Sequence, residues 1–280
     1  MSGAETEVAG QAAEKAQEGY NAGEQILHHI LDSNRIEIPA TGVVIHLPRI
    51  EIAGYDFSIT RNIVMMWIAA AVLLGIAALA ARRAKDPVPK GLRGFFEMLI
   101  LFVRDEIARK NIPQHADRYV GYLLSTFFFI LSCNLLGLVP GFGTPTSGIS
   151  VTAGLAIMAF SMVQVSGMRV YGVVGHFRNL LPHGLPAWLI PIMLPVEILG
   201  MFTKPFALCV RLFANMTAGH VVILSLISLI FIMKTVFMAA VSVPFALFIY
   251  LLELLVAVLQ AYIFTMLTSL FIGMAVHPSH

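Results

Sequence analysis

From Tyr119 to His280 the chain carries only two acidic residues, Glu197 and Glu253, in sequence made mostly of long apolar runs. In water such runs would lack polar surface to cover them. In a bilayer, a run of about 20 apolar residues makes one helix across a ~30 Å hydrocarbon core. A helix also satisfies its own backbone groups, which hydrocarbon demands. Composition agrees: the chain is 58% hydrophobic and 12% charged, against about 25% charged residues in soluble domains. A net charge of +2 offers no basic face for nucleic acid.

The runs set the organisation. Residues 1–25 form a polar, acidic N-terminal tail, with no basic start or early apolar core that would mark a secretory signal. Residues 26–118 hold a first span near Ile63–Ala81, then a mixed basic and apolar stretch over 86–118. The latter reads as an amphipathic helix lying on the membrane surface, begun after Pro87 and Pro89. Residues 119–280 are expected to form a helical membrane domain. Its spans are expected near Tyr119–Val139 and Ile149–Met168, with a polar loop over Arg169–His183. Two longer apolar stretches follow, Ala187–Met233 and Met238–Val276. Each exceeds what an upright span needs, so each folds either as two short spans or as one strongly tilted helix.

Half of the 18 basic residues lie in 82–118. The bias of Lys and Arg toward cytoplasmic loops therefore puts that segment inside, the N-terminus outside and, with single crossings of the last two stretches, the C-terminus in the cytoplasm. Cys133 and Cys209 lie far apart in apolar runs and read as buried free thiols. The pairs His28/His29 and His176/His183 could ligate a metal, but no H-E-x-x-H or C-x-x-C motif occurs, and no metal or cofactor is expected.

The chemistry lies in charges inside the apolar stretches: Glu197, Lys204, Arg211 and Glu253. A charge at the bilayer centre costs ~2.5–3.5 kcal/mol even on a lenient scale, so such residues face a protein interior or a wet cavity and mark ion routes. Lys204, beside Pro205, could snorkel to an interface instead. Glu197, Lys204 and Arg211 are spaced by seven and share a helical stripe, with Asn215 one turn beyond. Glu253 and Gln260 share a face on the last stretch in the same way. Pairing the stretches antiparallel with Arg211 level with Gln260 puts His220 and Glu253 at similar depth, ~13 and ~10 Å outward. Glu197 then lies ~21 Å to the other side of Arg211. One outer acid–imidazole pair, one central cation and one inner carboxylate suit two half-channels with a positive gate between them.

The run Lys204-Pro205-Phe206-Ala207-Leu208-Cys209-Val210-Arg211-Leu212-Phe213-Ala214-Asn215-Met216-Thr217-Ala218-Gly219-His220 resembles the signature of subunit a of F-type ATP synthases. Asn134 through Pro140, Glu253 through Phe264 and the order of segments support the resemblance, which covers roughly 25–277. It implies an all-α integral membrane protein of about five transmembrane helices plus one surface helix, with the last two long, tilted and antiparallel. It implies a non-catalytic, proton-translocating stator subunit of the bacterial inner membrane. Its partners would be a rotating c-ring and b-type peripheral stalk subunits.

By the same resemblance Arg211 matches the essential arginine facing the ring carboxylates, with Asn215 and Gln260 as its polar neighbours. His220, Glu253 and Asn134 match the outer proton pathway and Glu197 the inner one. The acid and histidine often stand the other way round in the family. Gly137 sits where some members carry an acid, and Gly200 and Ala207 replace polar residues found in some members.

Besides the soluble metalloenzyme that the histidine pairs would serve, two other classes compete with this reading. A transporter acting alone would also bury Arg and Glu, but it predicts internal repeats, which the sequence lacks. A simple membrane anchor leaves the polar stripes without purpose.

Overall fold

The computed structural model describes residues 35–38, 43–46, 51–52, 55–56, 60–82, 91–139, 144–178, 189–233 and 235–277. The N-terminal tail, and with it His28 and His29, lies outside them, as does His183. Two small antiparallel hairpins come first: β1 (Arg35–Ile38) pairs with β2 (Val43–His46), and β3 (Glu51–Ile52) with β4 (Tyr55–Asp56). The sequence reading missed them. The signal was there in Ile36 and Ile38, then Pro39 and Gly42 as turn residues, then Val43 to Ile45.

The rest is helical: α1 (Arg61–Arg82), α2 (Leu92–Leu101), α3 (Ala116–Gly137), α4 (Ile149–Arg178), α5 (Ile190–Met233) and α6 (Val236–Val276). A π-helical stretch, Phe102–Ala108, extends α2 toward a last turn at Arg109–Asn111. A single 3-10 turn, Pro145–Ser147, leads into α4. Four of these helices, α3 to α6, are long and apolar enough to cross a membrane, and α1 adds a shorter apolar stretch, Arg61–Gly75.

Both long stretches are single unbroken helices of 44 and 41 residues, running through Pro195, Pro205 and Pro244. At 1.5 Å per residue they reach about 66 and 62 Å, twice the hydrocarbon thickness, so they must lie steeply inclined.

The bundle buries one apolar seam. Tyr119, Leu123, Phe127 and Ile130 of α3 meet Leu208, Leu212 and Met216 of α5 and Ala261, Phe264 and Ile272 of α6. Outward faces are apolar and exposed, as at Trp67, Leu74, Phe206 and Phe237. Hydrocarbon, not water, suits such a surface.

The helix expected on the membrane surface docks one face against the bundle. Val103, Ile107, Ala108 and Ile112 are fully buried, while Phe95, Met98, Ile100 and Leu101 are exposed. The Ile107 carbonyl accepts from Asn111 Nδ2 at 2.9 Å and from Ser269 Oγ of α6 at 3.2 Å. On the outer side, Arg104 beside Asp105 holds its carboxyl below the usual range, and Lys110 pairs with Glu106 one turn back.

The close approach of α2 to α6 needs Gly273, because a Cβ there would overlap the Asn111 backbone carbonyl. Backbone cannot swing aside. Gly273→Val should therefore force the two apart at about 1–3 kcal/mol. A lowered thermal unfolding temperature of the purified complex checks this.

The expected polar loop over Arg169–His183 is corrected as far as Arg178, and 179–183 lie outside the described residues. The chain stays helical to Arg178 and kinks at Gly172, whose φ of 72° suits glycine. Arg169 and Arg178 made this stretch look like a loop. Beyond the kink His176 is buried, 2.7 Å from Gln164 Oε1, so it is a packed side chain on α4 rather than an exposed ligand.

Candidate functional site

The site lies along the seam between α5 and α6. Three contacts fix their antiparallel register. Asn215 Nδ2 donates to Gln260 Oε1 at 2.9 Å. His220 Nδ1 lies 2.6 Å from Glu253 Oε1. Lys204 Nζ stands 5.3 Å from the Phe271 ring centre. It is thus Asn215, not Arg211, that stands level with Gln260, and the register assumed from sequence is off by one turn. Helical periodicity tells which face a residue is on but not how high its partner sits. The expectation that His220 and Glu253 share a depth holds, and they touch.

Arg211 projects from the middle of α5 and is exposed. Among the described residues it makes no hydrogen bond or ion pair. Ala207, Ala214, Asn215 and Ala218 are exposed on the same helix, and Leu251, Leu252, Leu255, Val258 and Leu259 on α6. Arg211 is thus an unpaired permanent cation on a broad apolar face. Behind it Gln260 is almost fully buried, and its Nε2 has no partner among the described residues.

A second polar group lies farther along α5, toward its C-terminal end. Glu253 is 5% exposed. Gly219 makes room for it, since a Cβ there would stand 2.7 Å from Oε1. The His220 ring is held on both sides: Nδ1 is 3.1 Å from the Met216 carbonyl, and Nε2 is 3.1 Å from the Gly137 carbonyl and 2.8 Å from Thr144 Oγ1. Next to it Asn134 is fully buried, donating to the Ala257 carbonyl at 3.1 Å and accepting from Thr146 Oγ1 at 2.8 Å. Tyr250 donates to the Leu138 carbonyl at 3.0 Å. Hydrogen bonds of this density among buried polar groups rigidify the seam and give it one arrangement.

The structure therefore brings together His220 and Glu253, with Asn134 beside them, and separately Asn215 with Gln260. Glu197 joins neither group: it is half-buried, about 21 Å along α5 from Arg211, with no hydrogen bond or ion pair among the described residues. The Phe160–Phe202 ring contact at 5.7 Å and the Thr152–Cys209 contact at 3.5 Å set the antiparallel register of α4 and α5. That register puts Gln164 level with the turn carrying Glu197. Lys204 is exposed, with its ammonium over the Phe271 ring. Sequence reasoning missed Thr144, Thr146, Gly219 and Tyr250. Hydroxyls alternating around Pro145, between two spans, were the one signal for the first two. Cys133 and Cys209 are buried and free, and the described residues hold no cluster of metal-ligating side chains.

Fold and site define a multi-span helical membrane protein with an exposed cation midway along α5 that has no partner among the described residues, and a buried acid–imidazole pair. The family model for the ATP synthase A chain matches residues 63–273. The chain is 52% identical over 259 residues to ATP synthase subunit a of Chloroherpeton thalassium, covering 91% of this chain and 77% of that one. It is 50% identical over 272 residues to ATP synthase subunit a 2 of Chlorobaculum tepidum, covering 95% and 76%, and 46% identical to ATP synthase subunit a of Anaeromyxobacter sp. over 97% and 75%. The chain belongs to the ATP synthase A chain family.

Proposed function

We propose that this chain is the stator of a rotary proton motor, with two offset half-channels that load and unload carboxylates on a rotating c-ring. The observation that carries the reading is Arg211: a permanent cation at mid-span, exposed and unpaired. Lipid would charge ~2.5–3.5 kcal/mol for it, so a protein surface bearing anions is the covering that fits. The broad apolar face around it suits a second apolar surface sliding past.

Protons arrive from outside through the group of Asn134, His220 and Glu253. Imidazole and carboxylate together exchange protons near neutral pH when their surroundings tune them. The proton neutralises a ring carboxylate, which then turns through lipid without the penalty of a buried charge. On the far side it leaves toward Glu197 and the cytoplasm. Arg211 favours the ionised carboxylate and so promotes release. It also bars a direct leak between the two routes. The field supplies ~2.3 kcal/mol per charge per 100 mV.

The subunit sits in the bacterial inner membrane with its N-terminus outside, beside b-type stalk subunits that hold it still. The region 119–280 is the ring-facing channel domain, while 26–118 anchors it. It catalyses nothing alone, and the chemistry of ATP belongs to other subunits.

A crosslink tests the shared surface. Ala214 is exposed on the Arg211 helix, and both natural cysteines are buried. Ala214→Cys should form a disulfide with a cysteine introduced beside the ring carboxylate. Oxidation should then stop ATP-driven pumping and reductant restore it. Labelling of Cys at 214 by a lipid-soluble maleimide in the intact complex, with no crosslink to the ring, would sink the reading.

A further inference from the structure

The pocket around the His220 ring is built from acceptors. Nδ1 faces the Met216 carbonyl and the Glu253 carboxyl group, and Nε2 faces the Gly137 carbonyl and the Thr144 hydroxyl. A carbonyl oxygen or an ionised carboxylate only accepts, whereas a hydroxyl both donates and accepts. At Nε2 the Thr144 hydroxyl is therefore the one group able to serve the ring in both charge states. When Nε2 carries a proton, that proton is donated to the Gly137 carbonyl or to Thr144 Oγ1. When it does not, the bare lone pair would stand 3.1 Å from the Gly137 carbonyl oxygen, an unfavourable meeting of two acceptors. A Thr144 O–H turned toward it removes that conflict.

The segment is shaped for this. Thr144 is 2% exposed. Its backbone carbonyl accepts from Ser147 N at 3.0 Å and Ser147 Oγ at 2.7 Å, which pins the main chain and leaves the hydroxyl able to turn. Gly137 and Thr144 also depend on one another, because a Cβ at 137 would overlap the Thr144 side chain. Any larger residue at 137 would displace the hydroxyl from His220.

We propose that Thr144 is a positioning residue for proton transfer at His220, its hydroxyl reversing between acceptor and donor as Nε2 gains and loses its proton. A proton arriving from water in the outer cleft bonds to Nε2 as the donor's O–H breaks, and the hydroxyl turns to accept. When the Nε2–H bond breaks again and its proton returns to water of the outer route, the ring keeps its other proton on Nδ1, toward Glu253, and the hydroxyl turns back and donates. The ionisable group facing the ring is Glu253, from α6. Its other partners are the neutral Gly137 of α3, Thr144 of the 3-10 segment and Met216 of α5. Tyr250 of α6 is spoken for by the Leu138 carbonyl.

This inference rests on the outer-route reading above, so the test separates the two. The whole complex is placed in liposomes and ATP-driven proton pumping is measured across pH. Thr144→Val removes the hydroxyl and keeps the shape. One lost hydrogen bond predicts pumping about three- to tenfold slower at neutral pH, with the pH profile displaced by about 0.5–1 unit. Thr144→Ser keeps the hydroxyl and should restore both rate and profile. If the Val variant fails to assemble with the ring, Thr144→Ala carries the same expectation.

A hydroxyl-free variant with normal rate and profile would overturn the proposal. So would equal slowing by Val and Ser with an unmoved profile, which is the mark of packing alone. His220→Ala is the companion measurement. If it pumps normally, the outer route itself is wrong. If it is dead while Thr144→Val is normal, only the role of Thr144 falls.

Discussion

Arg211→Ala in the assembled complex is expected to lower proton-coupled ATP synthesis about 100-fold or more, with the subunit still inserted and bound to its partners. The magnitude follows from the charge. An ion in hydrocarbon costs ~2.5–3.5 kcal/mol on the lenient scale, and every 1.4 kcal/mol is about tenfold. Removing the cation removes the barrier to direct proton passage and the force that ionises a facing carboxylate. Insertion should survive because Arg211 makes no hydrogen bond or ion pair among the described residues, and the core on the other side of α5, at Leu208, Leu212 and Met216, is untouched. Passive proton leak through ATP-free vesicles should rise in the same variant. Arg211→Lys is the sharper comparison: it keeps a charge but loses the planar fork and can shed its proton. It should insert as well as wild type and couple poorly. Wild-type synthesis by the alanine variant would end the account of Arg211 as a gate.

How much of this was legible in the sequence depends on the kind of force involved. Apolar run length marked where the helices lie and in what order, because hydrocarbon tolerates little else, but left open whether each of the last two stretches is one tilted helix or two short spans. Four-residue spacing placed Arg211 and Asn215 on one face of α5, and seven-residue spacing placed Glu253 and Gln260 on one face of α6. Height was not legible. It is set by where small residues let large ones in, and Gly219, which admits Glu253, carries no signal of its own in a hydrophobic run. The continuation of α4 past Arg169 was hidden for the opposite reason. Charge lowers local hydropathy whether the backbone is helix or loop, and the break at Gly172 that turns His176 back against Gln164 leaves no mark in hydropathy. Thr144 and Thr146 were missed because neutral hydroxyls in a turn rich in Gly and Pro look like ordinary turn residues. Their role depends on Asn134 and His220, 12 and 76 residues away.

That dependence on a shared pocket gives the second large effect. Glu253→Gln keeps size and shape but cannot carry a proton, and general acid–base steps are worth at least about 100-fold. ATP-driven pumping should fall by about that factor while the complex stays assembled. Glu253→Asp, shorter by one methylene, should keep part of the rate. Gly219→Ala probes the same contact from the other side. Its new Cβ would crowd Oε1, and the carboxyl end is the atom group free to move, so the acid should swing away from His220 and slow pumping without unfolding α5. Gly200→Ala, with nothing within 4 Å of the added carbon, should leave pumping unchanged. The decisive variant exchanges the partners. If the 2.6 Å contact is the working unit, His220→Glu combined with Glu253→His should pump faster than either single change. Loss as complete in the double exchange as in both singles would mean that each residue acts through its own surroundings and not through the other.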